Sequence, residues 1–157
     1  MGLFGKKNKE INIYAPVNGE VVGLDKVDDE VFSQKMMGDG FAIIPADGEF
    51  VSPIDGKLVS VFQTKHAYGI QHSSGVELLI HIGLDTVTLD GEGFELHVSQ
   101  DQKIKTGEKL VNVDLAFVKP KVPSITTPII FTNQEGKEIK IIKTGKVAKG
   151  ELIAQLV

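Results

Sequence analysis

A β-hairpin is predicted by residues 62–87, which read FQTKHAYGIQHSSGVELLIHIGLDTV. Two β-rich runs flank a polar Ser-Ser-Gly connection at residues 73–75, an arrangement typical of a turn between antiparallel strands. If the turn is centred on the serine pair, His66 lies directly opposite His81. Directly opposed residues share a face, with Cβ atoms about 4.5–5.5 Å apart, so this register predicts contact between the two imidazole rings.

The same register predicts further cross-strand pairs. They are Thr64 with Gly83, Phe62 with Asp85, and Tyr68 with Leu79. Each histidine could also be an ordinary half-buried strand residue. Side-by-side imidazoles repel each other once both are protonated, so the pairing instead indicates a shared ligand. A shift of one residue would move each side chain to the other face and remove the pairing.

The remainder of the chain has the pattern of an all-β protein. From Ile11 onward, short apolar runs are interrupted by glycine and proline about every eight to twelve residues, as in an antiparallel β-sandwich or barrel. Internal duplication is also visible: APVNGEVV at 15–22 recurs as SPIDGKLV at 52–59, and IKTGEKL at 104–110 recurs as VAKGELI at 147–153. In each repeat, proline and glycine fix turns beside strands.

Helical periodicity is scarce, and we expect one or two short helices. The first is predicted over residues 31–37, because acidic residues precede it and Gly38 follows it. A second, weaker candidate covers Leu115–Val118 and is stopped by Pro120 and Pro123.

Composition narrows the class of protein. The length of 157 residues suits one domain, predicted over residues 11–157, with a flexible, lysine-rich tail at residues 1–10. The absence of cysteine excludes disulfides, thiolate zinc sites and cysteine nucleophiles. A net charge of −4 without a basic stripe argues against nucleic acid as a partner. No apolar run approaches the roughly 20 residues of a membrane span, so we expect a cytoplasmic protein.

Several segments carry a more specific likeness. They are KHAY at 65–68, SGVEL at 74–78, HIGLDTV at 81–87 and GEGF at 91–94, together with APVNGE at 15–20 and GDG at 38–40. These segments resemble the glucose-type enzyme IIA of the bacterial phosphoenolpyruvate-dependent sugar phosphotransferase system. The likeness runs from about residue 13 to residue 157, and it implies a duplicated barrel-sandwich hybrid fold.

The resemblance also implies a function. It predicts a phosphotransferase component in which His81 carries the phosphoryl group, His66 supports it and Thr64 orients the His66 ring. The predicted donor is the phosphocarrier protein HPr, and the predicted acceptor is a cysteine of a IIB domain in a IIB/IIC sugar permease. The chemistry suits histidine, because an imidazole with a pKa of about 6.5 is a neutral nucleophile near pH 7.

A docking face for these partners is implied as well. Apolar side chains around the histidines would exclude water and slow the hydrolysis of a phosphohistidine, while carboxylates at the rim would bind charged partner residues. Core packing is the competing explanation for the two phenylalanines and the methionines among them. The predicted face consists of Val31, Phe32, Met36, Met37, Phe62, Leu79 and Val87, with Asp29 and Asp85 at its rim.

Two other functions remain open at the level of sequence. His66 and His81 could bind zinc at a partner interface, with a carboxylate such as Asp85 or one from the partner as a further ligand. No cofactor is otherwise expected. The chain could also be a regulatory module that binds other proteins in one phosphorylation state. The remaining histidines, His72 in the turn and His97 in a solvated strand, are weaker candidates for a direct role.

Overall fold

The computed structural model describes residues 10–157. It consists of short strands with two single-turn α-helices, α1 (Glu30–Ser33) and α2 (Leu115–Val118), and 3-10 turns at Leu24–Lys26, Thr86–Leu89 and Lys119–Lys121. The strands are β1 (Ile11–Tyr14), β2 (Gly19–Gly23), β3 (Asp39–Pro45), β4 (Glu49–Val51), β5 (Gly56–Val61), β6 (Ala67–Gln71), β7 (Glu77–His81), β8 (Phe94–Leu96), β9 (Lys103–Ile104), β10 (Lys109–Val113), β11 (Thr127–Asn133), β12 (Ile139–Ile141), β13 (Gly145–Val147) and β14 (Leu152–Leu156).

The strands form one large antiparallel sheet and two small ones. The large sheet has eight strands in the order β13-β2-β3-β11-β7-β6-β5-β9. The small sheets have the orders β1-β14-β12 and β4-β10-β8. The all-β antiparallel fold with a few short helices, expected from the repeated apolar runs, is confirmed.

Strand β7 is buried on both faces of the large sheet. Leu78 and Ile80 point into the main apolar core, whereas Leu79 belongs to a smaller cluster on the opposite face. Side chains alternate along a strand, so His81 lies on the same face as Leu79. This smaller cluster, which we call the lower cluster, consists of Leu24, Val27, Phe32, Ala42, Ala67, Leu79, Leu84 and Ile130.

The predicted duplication is present, and the two repeats form equivalent hydrogen bonds. In the first copy the Ala15 amide donates to the Glu151 carbonyl at 2.8 Å, and in the second the Ser52 amide donates to the Glu108 carbonyl at 2.8 Å. Each copy also closes a turn through a side chain. Asn18 Oδ1 accepts from the Lys149 amide at 2.7 Å, and Asp55 Oδ1 accepts from the Thr106 amide at 2.8 Å.

The two copies are also joined to each other. The Tyr14 amide of the first copy donates to the Pro53 carbonyl of the second at 3.0 Å, and the Val51 amide donates back to the Pro16 carbonyl at 2.8 Å. Buried backbone groups require such partners, and here each copy satisfies the other. The two repeats are therefore interlocked around one core.

The hairpin between β6 and β7 is present, but its predicted register is wrong by one residue. His81 pairs with Ala67, and Tyr68 pairs with Ile80. The reason is the loop, which closes with the His72 amide donating to the Val76 carbonyl at 2.8 Å and therefore holds three residues. Gly75 adopts a φ of 97°, the left-handed conformation expected at the end of a three-residue hairpin loop.

Helix α1 is shorter than predicted. It begins at Glu30, capped by the Asp29 carboxylate, which accepts from the Val31 amide at 2.9 Å. The helix ends at Ser33 because Lys35 adopts a left-handed φ of 57° before Gly38 is reached. The second predicted helix is found with the expected bounds, Leu115–Val118.

Packing explains why α1 stops after one turn. Phe32 is its one buried residue and anchors it in the lower cluster, a burial that contributes about 1.5–3 kcal/mol. A second turn would gain no such anchor, because Met36 and Met37 are exposed.

The predicted tail at residues 1–10 lies outside the described residues apart from Glu10, which is exposed.

Candidate functional site

The two histidines do come together, although not through the predicted pairing. Their ring centroids are 4.8 Å apart and the ring planes are inclined at 84°. His81 is the last residue of β7, and His66 immediately precedes β6. The residue opposite His81 is Ala67, which has a small side chain and is buried in the lower cluster. The His66 ring comes from the turn beyond the strand end, where side chains need not alternate.

His81 is held by a backbone carbonyl two residues later. Its Nδ1 lies 2.8 Å from the Gly83 oxygen. A carbonyl can only accept, so Nδ1 carries the hydrogen and the lone pair is on Nε2. Gly83 adopts a φ of 74°, which turns its carbonyl toward the ring. The sequence prediction did not include Gly83, because the hydrogen bond is made by its backbone carbonyl, which no side-chain pattern indicates.

The electrostatics of His81 favour a neutral ring. Burial lowers its pKa below the usual value of 6.5, and this effect outweighs the opposing effects of the Gly83 carbonyl and the negative charges of Asp29 and Asp85. The ring of Phe32 packs against it at a centroid distance of 5.0 Å. His81 is nevertheless only half-buried, so part of its side chain faces solvent.

His66 is more deeply buried, with 3% of its surface exposed. Its Nδ1 lies 2.7 Å from the Thr64 hydroxyl oxygen, and the Phe62 ring packs edge-on at 5.6 Å. Burial first, and the charge of His81 second, lower the pKa of His66 to about 4, against the opposing effect of a hydrogen bond to the Thr64 backbone carbonyl. At neutral pH both rings are therefore uncharged and do not repel each other.

The predicted docking residues divide into two groups. Phe32 and Leu79 are buried in the lower cluster, so core packing accounts for them. The other five apolar residues are exposed large hydrophobic side chains, and core packing does not explain them: Val31, Met36, Met37, Phe62 and Val87.

The predicted rim carboxylates lie near the histidines. Both affect the pKa of His81 through their charge, which places them within electrostatic reach of its ring. Asp29 is half-buried and caps α1, whereas Asp85 is exposed. Asp85 precedes the 3-10 turn Thr86–Leu89 and adopts a left-handed φ of 57°.

Among residues 10–157, no three or more His, Cys, Asp or Glu side chains are grouped in a way that could hold a metal ion. His66 and His81 supply two such ligands, so zinc at this point would require a ligand from another molecule.

Within the same residues, no helix is both long enough and apolar enough to cross a membrane. His72 bonds Ser74 in the hairpin loop, and His97 lies beside Glu95, so neither is part of the pair.

Comparison with known proteins agrees with this fold. Residues 11–137 match the family model for the phosphoenolpyruvate-dependent sugar phosphotransferase system, EIIA 1. The glucose-specific EIIA component of Mycoplasma capricolum is 56% identical over 149 residues, which is 95% of this chain and 97% of that protein. The solved structure of glucose permease IIA from Mycoplasma capricolum superposes with a TM-score of 0.92, at the same identity and coverage.

Longer relatives match as well. The glucose-specific EIICBA component of Staphylococcus saprophyticus is 46% identical over 97% of this chain, which covers only 22% of that protein. The glucosamine-specific EIICBA component of Bacillus subtilis is 49% identical over 88% of this chain, again 22% of the longer protein. Such fusions support IIB and IIC domains as partners of EIIA units.

The fold and the matched family define a component of a sugar phosphotransferase system, and hence a protein of the transferase class. This chain belongs to the EIIA 1 family of the phosphoenolpyruvate-dependent sugar phosphotransferase system. The family inferred from its short sequence segments is confirmed.

Proposed function

We propose that this protein is a phosphohistidine carrier that receives a phosphoryl group from HPr on His81 and passes it to a cysteine of a IIB domain. The observation that carries the proposal is the contact between a half-buried His81 and a buried His66, whose ring centroids are 4.8 Å apart. One ring is accessible to another protein, while its neighbour is fixed behind it. We expect the transfer to take place in the cytoplasm.

The nucleophile in this proposal is Nε2 of His81. The Gly83 carbonyl holds the hydrogen on Nδ1, so the Nε2 lone pair is available. In the first transfer the N–P bond of phospho-HPr breaks as an N–P bond to Nε2 forms. In the second, that bond breaks as an S–P bond forms on the acceptor cysteine. The lowered pKa of His81 favours the neutral ring that the first transfer requires.

His66 would stabilise the group while it passes. A phosphoryl group in transfer carries charge on its oxygens, and a hydrogen-bond donor placed in advance stabilises that charge. If the Thr64 hydroxyl donates to Nδ1 of His66, the hydrogen of that neutral ring lies on Nε2 and can be donated to a phosphoryl oxygen. Because His66 is buried, its orientation is fixed before the partner arrives.

The exposed apolar residues of the predicted docking face would form the surface that meets both partners. Val31, Phe62 and Val87 are exposed hydrophobic side chains that have no role in the core. Contact across this surface would remove water from the phosphohistidine and bring donor and acceptor atoms together. The carboxylates of Asp29 and Asp85 would pair with basic residues of the partners.

The uptake step is tested with phosphoenolpyruvate, enzyme I and HPr. We expect the wild-type chain to gain an acid-labile, base-stable phosphate that His81→Gln lacks. His97→Gln is the matched control, because His97 is exposed and lies outside the pair, and it should be phosphorylated like the wild type. Unchanged labelling of His81→Gln would refute the assignment.

The role of His66 is tested in the second transfer. His66→Gln should still accept phosphate from HPr, because the nucleophile is intact, but it should pass the group to a IIB domain slowly. Removing one preorganised donor to a developing charge typically costs about a hundredfold or more in rate. Failure of His66→Gln to accept any phosphate would contradict a purely supporting role.

A further inference from the structure

The turn that carries His66 has an unusual backbone. Residues 62–66 connect β5 to β6, and the Lys65 amide donates to the Phe62 carbonyl at 2.8 Å. Lys65 adopts a φ of 62°, a left-handed conformation that is unfavourable for a residue with a Cβ. A conformation of this kind persists only when surrounding contacts hold it.

A buried tyrosine supplies such a contact. The hydroxyl of Tyr68 donates to the Lys65 carbonyl at 2.5 Å, and its side chain is completely buried. Burial raises the pKa of Tyr68 well above its usual value of 10, so the hydroxyl keeps its hydrogen and remains a donor. The Lys65 side chain also passes over Gly91, where an added Cβ would lie 3.4 Å from the lysine Cδ.

The position of this hydrogen bond connects it to the site. Lys65 is the residue between Thr64 and His66, whose side chains bond each other at 2.7 Å. The Lys65 carbonyl belongs to the peptide that leads into His66. Fixing that carbonyl from the core therefore fixes the direction in which the His66 ring leaves the backbone.

We propose that Tyr68 is a positioning residue for His66, acting through the Lys65 carbonyl to hold the His66 ring against His81. The proposal rests on the proposed phosphocarrier function for its kinetic consequence, but its structural consequence is measurable without any partner. The Tyr68 side chain lies in the main apolar core, whereas Ala67, which pairs with His81, lies in the lower cluster on the other face of the sheet. A tyrosine whose only role was to fill the core would be replaceable by phenylalanine without effect on His66.

The test is Tyr68→Phe, which keeps the buried ring and removes the hydroxyl. The first readout is the pKa of His66, measured by NMR titration of the free protein. Loss of the anchor lets the ring move away from burial and from His81, which are the two main causes of its low pKa. We therefore expect the His66 pKa to rise from about 4 toward 6.5.

The second readout is transfer to a IIB domain. In Tyr68→Phe we expect kcat to fall about tenfold, as for the loss of one well-formed hydrogen bond, with KM for the IIB domain unchanged. Phosphate uptake from HPr should stay within about twofold of wild type, because the His81 ring and its hydrogen bond to the Gly83 carbonyl are retained. Tyr14→Phe, which alters the chain's other tyrosine at a partly exposed site, should change neither readout.

A second control separates positioning from general destabilisation. Ile70→Val creates a small defect in the same strand without touching Lys65, and it should leave the His66 pKa and kcat unchanged. A wild-type His66 pKa in Tyr68→Phe would overturn the proposal, as would the same change in Ile70→Val. If the wild-type chain does not gain phosphate on His81, the proposed function is refuted. The pKa of His66 in Tyr68→Phe then still decides whether Tyr68 positions His66.

Discussion

At the scale of single residues, the two histidines differ chiefly in their access to solvent. His66 is almost completely buried beside Phe62, whereas His81, at the end of β7, is half-buried and partly accessible to solvent. A phosphoryl carrier needs one ring that partners can reach and one that stays fixed. This difference supports the division of roles that we propose.

The buried His66 predicts a specific dependence of stability on pH. Its pKa is about 4 in the folded chain and about 6.5 in the unfolded chain, so between these values the unfolded chain binds a proton that the folded chain does not. The free energy of unfolding should therefore fall as the pH drops from 6.5 to 4, by at most about 1.4 kcal/mol per pH unit from this residue. His81, whose pKa is also lowered, acts in the same direction.

The measurement is urea unfolding at pH 7, 6 and 5 for the wild type and His66→Gln. Glutamine does not titrate, so the variant should lose less stability on acidification. His97→Gln is the control and should follow the wild-type slope. Equal slopes for His66→Gln and the wild type would show that His66 titrates normally in the folded protein.

Thr64 offers a second prediction at this scale. Thr64→Val keeps the shape of the side chain but removes the hydroxyl that lies 2.7 Å from Nδ1 of His66. A typical hydrogen bond contributes about 1 kcal/mol, so we expect transfer from phospho-His81 to a IIB domain to slow about fivefold. Thr64→Ser restores a hydroxyl and should recover most of the rate. An equal loss in both variants would implicate packing instead.

The residues of the proposed site could be named from the sequence, but their geometry could not be predicted from it. His66, His81 and Thr64 were identified from a hairpin and a family likeness. Gly83 and Tyr68 were not assigned roles, because a backbone carbonyl and a core hydroxyl leave no pattern in the sequence. The contact between the rings was predicted from an incorrect register, and it arises because the His66 turn departs from regular strand geometry.

At the scale of elements, α1 links local capping to the chemistry of the site. The Asp29 carboxylate caps the helix, and its charge raises the pKa of His81. Phe32 on the same helix packs against the His81 ring. A single turn of helix therefore affects both the position and the electrostatics of the accessible histidine.

Two substitutions separate these effects of Asp29. Asp29→Asn keeps a good capping side chain and should leave stability nearly unchanged, whereas Asp29→Ala should cost about 1 kcal/mol. Both remove the negative charge, so both should lower the His81 pKa further. Urea unfolding and NMR titration of His81 measure the two effects. If the Asn variant is as unstable as the Ala variant, the carboxylate charge matters more than the cap.

Loop length was the element-level detail that the sequence left open. A Ser-Ser-Gly connection fits hairpin loops of different lengths, and the length determines the register of both strands. The bond from the His72 amide to the Val76 carbonyl and the left-handed conformation of Gly75 distinguish the three-residue loop found here. Similarly, the end of α1 could not be predicted, because it depends on which of its side chains are buried in the assembled fold.

At the scale of the whole molecule, duplication gives two copies of one turn with different chemistry. Asn18 and Asp55 occupy matching positions and accept from matching amides. Asn18 also donates to Asp47 Oδ2 at 2.8 Å, whereas Asp55 also accepts from the Thr106 hydroxyl at 3.0 Å. The repeats predicted this duplication, but not the order of strands in the large sheet, which depends on contacts between distant segments.

Exchanging Asn and Asp at positions 18 and 55 should affect stability differently. Asp55→Asn retains an acceptor for both Thr106 groups and should be tolerated. Asn18→Asp removes the donor to Asp47 and places two carboxylates together, so it should lower the melting temperature at pH 7 by several degrees. The loss should shrink near pH 3, where carboxylates are protonated. Equal effects of the two exchanges would contradict the hydrogen-bond assignment.

The pairing of Ile11 with Leu156 brings the first and last strands side by side, in a different sheet from the one that holds His81. A tether attached before β1 or after β14 would therefore leave the molecule from one edge. Such a tether could be attached without unfolding either terminal strand. That geometry would serve equally for a free carrier and for one bound into a longer polypeptide.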